Sequence, residues 1–163
     1  MQVVDHLSRE KQLEILAKAD FFSRFSDDEK KILLMHGPEL LAFKEGEWII
    51  MEGDDKDSSL YVVLNGLLSV WSEGEKVADI GRGHCFGEVS FLRPIPRTGS
   101  VRCESRAAIF RLKREHMNRL PVTAREKIKD NLIAILLNRV TQGVQTGEPA
   151  SAPDGKDLWE TKS

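Results

Sequence analysis

The chain has 163 residues, 40% of them hydrophobic, which suits a single globular domain with its own core. Its 24 basic and 26 acidic side chains give a formal net charge of −2, so no overall positive field favours nucleic acid as a partner. No run approaches the ~18 apolar residues of a membrane span, and residues 1–10 lack the pattern of a secretory leader, so we expect a cytoplasmic protein that does not enter a membrane. Cys85 and Cys103 are too few for a disulfide framework, and we expect them to be reduced and buried.

The first part of the chain has a helical pattern. Apolar residues recur at helical spacing from Gln2 to Phe25, which predicts an amphipathic helix followed by a turn, and we assign residues 1–20 to an N-terminal helix. Ser26 and Glu29 form a capping-box pattern, which predicts the start of a short second helix that ends at Gly37-Pro38.

The middle of the chain, about residues 39–112, consists of short β-prone runs separated by turns that contain glycine. Asn65-Gly66 lies between two apolar runs and predicts a tight hairpin, because both central residues of such a turn need a positive φ. Several short strands at near-regular spacing predict a barrel or a sandwich.

Helical spacing returns in residues 113–141, where Thr123 and Glu126 form a second capping-box pattern. The apolar stripe of the helix that follows comprises Ile128, Leu132, Ile135, Leu136 and Val140. Ile133 and Leu137 lie off this stripe, so we expect the helix to meet a ligand, a second subunit or an effector protein as well. We expect the residues of the stripe to form the contact with a second copy of the chain or with an effector protein. Deep packing within its own domain is the alternative. Residues 142–163 are rich in Gly, Pro, Ser, Thr and charge, which predicts a disordered tail.

The densest chemical signal runs from Gly81 to Val101. Here Phe86-Gly87-Glu88 is followed, after a gap, by Pro96-Arg97-Thr98. This arrangement resembles the phosphate-binding cassette of the cyclic nucleotide-binding domain family, which includes catabolite activator protein and the regulatory subunits of cyclic-nucleotide-dependent kinases. The resemblance extends over about residues 21–140.

The cassette residues suit the chemistry of a cyclic nucleotide, which has a singly charged phosphate, a free 2′-hydroxyl and a flat base. Arg97 would grip the phosphate with its planar fork, and Glu88 would accept the 2′-hydroxyl hydrogen. Gly87 allows close approach of the backbone, and a helical turn starting near Glu88 and Val89 would aim unpaired N–H groups at the anion. We also expect Glu88 to lie near Arg97 and to orient its guanidinium in the empty pocket.

The resemblance implies a mainly β fold with flanking helices, an eight-stranded jelly-roll barrel, for a domain at residues 21–141. It implies that Val70, Val77 and Val101 line the base pocket, and that the helix from Ala124 to Val140 is a lid that moves onto the bound base. The remaining positions of the implied ligand site are Ser90, Pro96 and Thr98. Ser90 and Gly99 stand where many relatives have Ala. Thr98 slightly favours tolerance of cGMP, but it does not decide between cGMP and cAMP.

We therefore predict a non-catalytic sensor that binds cAMP or cGMP, uses no cofactor or metal, and signals through its C-terminal helix to a second subunit or an effector protein. Only a polar tail follows Val140, so no DNA-binding domain is expected. The main alternative is an interaction module that keeps the fold but has lost its ligand; the presence of both Glu88 and Arg97 favours the sensor. A phosphodiesterase would need a metal cluster or a positioned base, and the four histidines lack metal-ligand spacing.

Overall fold

The computed structural model describes residues 1–4, 7–36 and 38–141, which fold mainly into strands with helices before and after them. The strands are β1 (Gln2–Val3), β2 (Glu39–Phe43), β3 (Trp48–Ile50), β4 (Leu60–Asn65), β5 (Leu68–Ser72), β6 (Glu75–Ile80), β7 (Cys85–Phe86), β8 (Ser100–Cys103) and β9 (Ala107–Leu112). The helices are α1 (Arg9–Ala17), α2 (Asp27–Met35), α3 (Glu88–Leu92), α4 (Arg114–Met117) and α5 (Val122–Thr141), and a 3-10 turn covers Asp20–Phe22. The predicted tail, residues 142–163, lies outside the described residues.

The strands of the described ranges form two antiparallel sheets. One sheet has the order β1-β2-β9-β4-β7 and the other the order β3-β8-β5-β6. The mainly β fold with flanking helices is thus confirmed. The two sheets are not closed into the predicted barrel, because no ladder of hydrogen-bonded strands joins them within the described part of the chain, and the eight-stranded jelly roll stays a prediction.

Strand β4 shows how the core is built. Its run of apolar residues is buried on both faces, as expected for a strand covered on both sides. Leu60 and Val62 belong to the core between the five-stranded sheet and the helices, whereas Tyr61 and Val63 belong to the core between the two sheets. Successive side chains of β4 therefore point alternately into two cores, one shared with the helices and one between the two sheets.

The predicted helix from Gln2 to Phe25 is corrected by the structure. Gln2 and Val3 pair with β2 as strand β1, and α1 begins only at Arg9, where the Ser8 side chain accepts a hydrogen bond from the Lys11 N–H. The second prediction of this region is confirmed, since Ser26 and Glu29 form a reciprocal capping box at the start of α2. The helical periodicity of the sequence extends further than the helix itself. Pairing with β2 makes Gln2 and Val3 a strand, and the cap at Ser8 sets the residue at which α1 begins.

The turn at Asn65-Gly66 is also corrected. It does not close a hairpin, because β4 and β5 lie in different sheets and the chain crosses from one to the other here. Gly66 has φ +105°, and a Cβ at this position would lie 2.5 Å from the Arg106 carbonyl oxygen. Close approach of two loops, together with positive φ, therefore explains this glycine. The two-residue hairpin is formed at Glu73-Gly74, between β5 and β6.

Helix α5 begins at Val122, one residue before the predicted cap Thr123. Ile128, Leu132 and Ile135 are buried in the core that the helices share with the five-stranded sheet. This packing corrects the prediction that these three residues meet a partner. The large apolar side chains left exposed on α5 are Val122, Ile133, Leu137 and Val140.

Two further expectations concern burial and hydropathy. Cys85 and Cys103 are both buried, as predicted, and neither forms a disulfide bond; burial raises the pKa of Cys103 to about 11. Among the described residues, no helix combines the length and the apolar character that crossing a bilayer requires.

Candidate functional site

A cavity of about 330 Å³ opens between helix α3 and the four-stranded sheet. All the predicted site residues except Pro96 line it: Val70, Val77, Gly87, Glu88, Val89, Ser90, Arg97, Thr98 and Val101. Pro96 lies outside this lining and is exposed. The structure therefore brings together residues from β5, β6, α3, the loop after α3 and β8.

Gly87 is the N-cap of α3 and has a left-handed conformation, with φ +81° and ψ 8°. A Cβ here would lie 2.7 Å from Arg97 Nη1 and 2.8 Å from the Ser59 carbonyl oxygen. Glycine is thus required both by the backbone conformation and by the close approach of Arg97. The first turn of α3 begins directly at the cavity, as predicted, and its amide groups are the orphan donors of a helix N-terminus.

Arg97 is the central charged group of the cavity, and only 3% of its surface is exposed. Its Nη1 donates to the Gly87 carbonyl oxygen at 3.0 Å, and its Nη2 donates to the Ser59 carbonyl oxygen at 2.9 Å and to Asp57 Oδ2 at 3.1 Å. A buried guanidinium is costly unless it is paired and hydrogen-bonded, and these contacts supply that compensation.

The backbone of Arg97 is fixed as firmly as its side chain. The Arg97 N–H donates to the Asp54 carbonyl oxygen at 2.8 Å, and the Gly53 N–H donates to the Arg97 carbonyl oxygen at 2.9 Å. The loop after β3 therefore holds the arginine in place from one side, and Gly87 limits it from the other.

Asp57 is a site residue that the sequence interpretation missed. It accepts hydrogen bonds from the Ser59 N–H at 3.0 Å and the Tyr61 hydroxyl at 2.7 Å, in addition to its ion pair with Arg97. Burial acts to raise the pKa of Asp57, but the hydrogen bonds from Ser59 and Tyr61 and the charge of Arg97 outweigh it and lower the pKa to about 2. Asp57 is thus ionised at neutral pH and forms an ion pair with the Arg97 guanidinium.

Tyr61 and Phe86 connect this polar group to the core. Their rings stack with centroids 5.0 Å apart and an interplanar angle of 9°, and the Arg97 guanidinium carbon lies 5.9 Å from the Tyr61 ring centroid. Burial, and then the neighbouring Asp57, raise the pKa of Tyr61, so its hydroxyl remains a hydrogen-bond donor to Asp57. Through Tyr61, the stacked aromatic pair contacts both Asp57 and Arg97 and helps to fix their relative positions.

Glu88 is the first residue of α3, is 4% exposed and lines the cavity. The predicted contact between Glu88 and a ribose hydroxyl stays a prediction. The carboxylate that holds Arg97 in this structure is Asp57, and the predicted role of Glu88 in orienting the guanidinium stays a prediction.

The rest of the cavity lining is mainly apolar. Val70, Val77 and Val101 lie there as predicted, together with residues that the interpretation missed: Ile50, Ser72, Phe86 and Gly99. Ser72 could have been found, because it lies two residues after Val70 on the same strand and so on the same face. Ile50 comes from β3 and had no motif to mark it. The cavity thus combines a buried cation and a helix N-terminus with a largely apolar lining.

Comparison with known proteins identifies a family that matches this part of the chain. A sequence model described as "Cyclic nucleotide-binding domain" matches residues 40–123. A cAMP-dependent protein kinase regulatory subunit of Emericella nidulans is 37% identical over 82 residues, which are 49% of this chain and 20% of that protein. The chain therefore matches well under half the length of this curated relative.

Two solved structures are similar in fold. A cyclic nucleotide-binding domain from Methylobacillus flagellatus KT superposes with a TM-score of 0.71 at 24% identity, covering 84% of this chain and 80% of that one. The regulatory subunit of a cAMP-independent protein kinase A from Trypanosoma brucei gives a TM-score of 0.71 at 22% identity, covering 85% and 49%. Because the matched segment spans more than half of the chain and includes the cavity, this chain belongs to the cyclic nucleotide-binding domain family.

Proposed function

We propose that this chain is a non-catalytic sensor that binds cAMP or cGMP in the cavity beside α3 and signals through α5. The observation that carries the proposal is the buried Arg97 beside the N-terminus of α3, in a cavity whose lining is otherwise mainly apolar.

The polar end suits a cyclic phosphate. The Arg97 Nε atom is buried and has no hydrogen-bond partner among the described residues, so an anion would satisfy a donor that is otherwise unpaired. The amide groups at the start of α3 add donors for the same anion, and Gly87 leaves room for close approach. A guanidinium held by Asp57 is already oriented, so less freedom is lost when the ligand binds.

The size and lining of the cavity suit the rest of a mononucleotide. About 330 Å³ lies near the lower end of the range of ~300–1,000 Å³ for small-molecule sites. Glu88 would accept the hydrogen of the ribose 2′-hydroxyl, and the base would lie against Val70, Val77 and Val101.

The output would pass through α5. The strands, α3 and the loops supply the cavity lining, whereas α5 lies against the N-terminal segment, with Lys127 Nζ 2.6 Å from Glu29 Oε1 and Asn131 Nδ2 2.6 Å from the Phe21 carbonyl oxygen. A ligand that favours a different packing of α5 would shift the helix and, with it, the exposed Ile133 and Leu137, through which a second subunit or an effector would sense the change.

A ligand-independent interaction module is the second candidate. It is favoured by the similarity to a regulatory subunit described as cAMP-independent, because that likeness means that the fold by itself does not identify a ligand. The buried Arg97 and Glu88 favour the sensor.

A ligand panel separates the two candidates. Titration calorimetry on chain that has been unfolded and refolded to remove bound nucleotide would compare cAMP, cGMP, 5′-AMP and adenosine. A sensor binds a cyclic nucleotide at about micromolar affinity or better, and binds adenosine more weakly by about tenfold or more, because adenosine lacks the anion. Folded chain that gives no heat with either cyclic nucleotide would support the interaction module instead.

A further inference from the structure

Helix α3 is held at both ends by arginines. Arg97 Nη1 donates to the Gly87 carbonyl oxygen at the start of the helix. At the other end, Arg114 Nη2 donates to the carbonyl oxygens of Ser90 at 2.6 Å and Phe91 at 2.8 Å, and Arg114 Nε donates to Phe91 at 3.1 Å. Arg97 lines the ligand cavity, whereas Arg114 lies outside its lining.

The contacts of Arg114 matter because α3 is short. The last carbonyl groups of a helix have no partners within the helix, and a helix of five residues forms few hydrogen bonds of its own. Hydrogen bonds from a charged donor are about twice as strong as neutral ones. Arg114 therefore supplies directional hydrogen bonds to the carboxyl end of α3.

Arg114 also belongs to the segment that leads to α5. It is the first residue of α4, directly after β9, and the chain continues through the buried Met117 and Leu120 into α5. Phe91 of α3 lies in the same apolar core as Met117 and Leu120. The end of α3 is thus joined to α4 and α5 by an apolar core and by one polar clamp.

The two kinds of contact have different consequences for movement. Apolar packing is not directional, so Phe91 can shift against its neighbours while remaining buried. A planar guanidinium that grips two successive carbonyl groups fixes both distance and orientation. A displacement of α3 must either carry Arg114 with it or break these hydrogen bonds.

We propose that Arg114 is a positioning residue that transmits displacement of α3 to α4 and α5. The proposal rests on the proposed function in one respect, since a ligand at the start of α3 is what would displace the helix. The linkage itself is present in the ligand-free chain and can be tested without nucleotide.

The test is amide hydrogen exchange on the full chain without nucleotide. The N-terminal end of α3 is perturbed by substitution of Arg97. Arg97→Ala and the milder Arg97→Lys are each introduced into wild type and into Arg114→Gln. Because residue 114 is exposed, R114Q removes the clamp with little loss of core packing. Arg119→Gln is the matched control, since Arg119 is also exposed, lies on the same segment, and loses the same charge.

We expect the Arg97 substitutions to raise exchange in α3 in every background. In wild type and in R119Q they should also raise exchange in residues 114–141 by about fivefold or more, the lower range of a coupling between sites. In R114Q this second response should disappear. If Arg114 had a merely structural role, R114Q would raise exchange in α4 but would leave unchanged the effect of the Arg97 substitutions on exchange in residues 114–141.

Two results would overturn the proposal: an equal response of residues 114–141 in R114Q and wild type, or no response there in wild type to either Arg97 substitution. Calorimetry with cAMP is run separately on wild type. Absence of binding would refute the nucleotide sensor, while the exchange experiment would still decide the role of Arg114.

Discussion

Asp57 Oδ2 lies 3.1 Å from Arg97 Nη2, and this ion pair joins the loop before β4 to the arginine beside α3. The two residues are far apart in sequence, and the pair contributes to the compensation of a buried guanidinium. Its removal has consequences for stability that can be measured without any ligand.

Asp57→Asn should destabilise the ligand-free chain by about 1–3 kcal/mol, below the ~3–5 kcal/mol for breaking a fully buried pair, because the Asp57 side chain is 31% exposed. Urea unfolding at neutral pH measures the change. Asp55→Asn, an exposed residue in the same loop, is the control and should change stability by less than about 0.5 kcal/mol. Equal stability of D57N and wild type would show that Asp57 does not compensate Arg97.

The same ion pair predicts a pH dependence. The pKa of Asp57 falls from its ordinary value of 3.8 to about 2 in the folded chain, so folding favours the ionised form. This contribution to stability is therefore present above about pH 4 and is lost as the pH falls toward 2. Urea unfolding of wild type and D57N from about pH 6 downward should show a gap in stability that is constant to about pH 4 and then narrows. A gap that stays constant at lower pH would contradict the lowered pKa.

Gly87→Ala should weaken both folding and ligand binding. The new Cβ would lie 2.7 Å from Arg97 Nη1, and φ is +81°. Gly74→Ala is a matched control, because φ is +82° there and nothing lies within 4 Å of the added Cβ. G74A should cost about 1 kcal/mol of stability, the penalty of the backbone conformation alone. G87A should cost more and should lower cAMP affinity by about tenfold or more, whereas G74A should leave affinity unchanged. Equal effects of the two substitutions would exclude the contact with Arg97 as the cause.

The role of Glu88 can be isolated with a modified ligand. If its carboxylate accepts the ribose hydroxyl, 2′-deoxy-cAMP should bind wild type about 10–100-fold more weakly than cAMP. In Glu88→Ala the two ligands should bind with nearly equal affinity, because the hydroxyl has lost its partner. Competition binding gives both ratios. The same preference for cAMP in both proteins would assign the hydroxyl to another residue.

The sequence was sufficient to identify residues that line the cavity beside α3. Gly87, Glu88 and Arg97 are close in the chain and carry chemistry that is uncommon in combination, so their spacing predicted both the α3 N-terminus and the charged end of the cavity. The capping box at Ser26 was equally local and was confirmed. Local patterns of this kind depend on backbone geometry within a few residues.

Features that depend on distant segments could not be predicted in this way. Asp57 reaches Arg97 across 40 positions in the sequence, and nothing in its own neighbourhood marks it. Asn65-Gly66 has the composition of a hairpin turn, but its glycine serves the approach of the loop at Arg106, and the strands on either side pair elsewhere. The stripe on α5 was identified as apolar, yet which of its residues meet the core was decided by packing against the first helices.

The measurement that tests the central claim most directly is the affinity of nucleotide-free chain for cAMP, compared with that of Arg97→Ala. We predict that wild type binds and that R97A, still folded by circular dichroism, binds at least about 100-fold more weakly, which corresponds to about 2.7 kcal/mol. Equal affinity of the two folded proteins would contradict the assignment of Arg97 as the phosphate ligand and, with it, the proposed site.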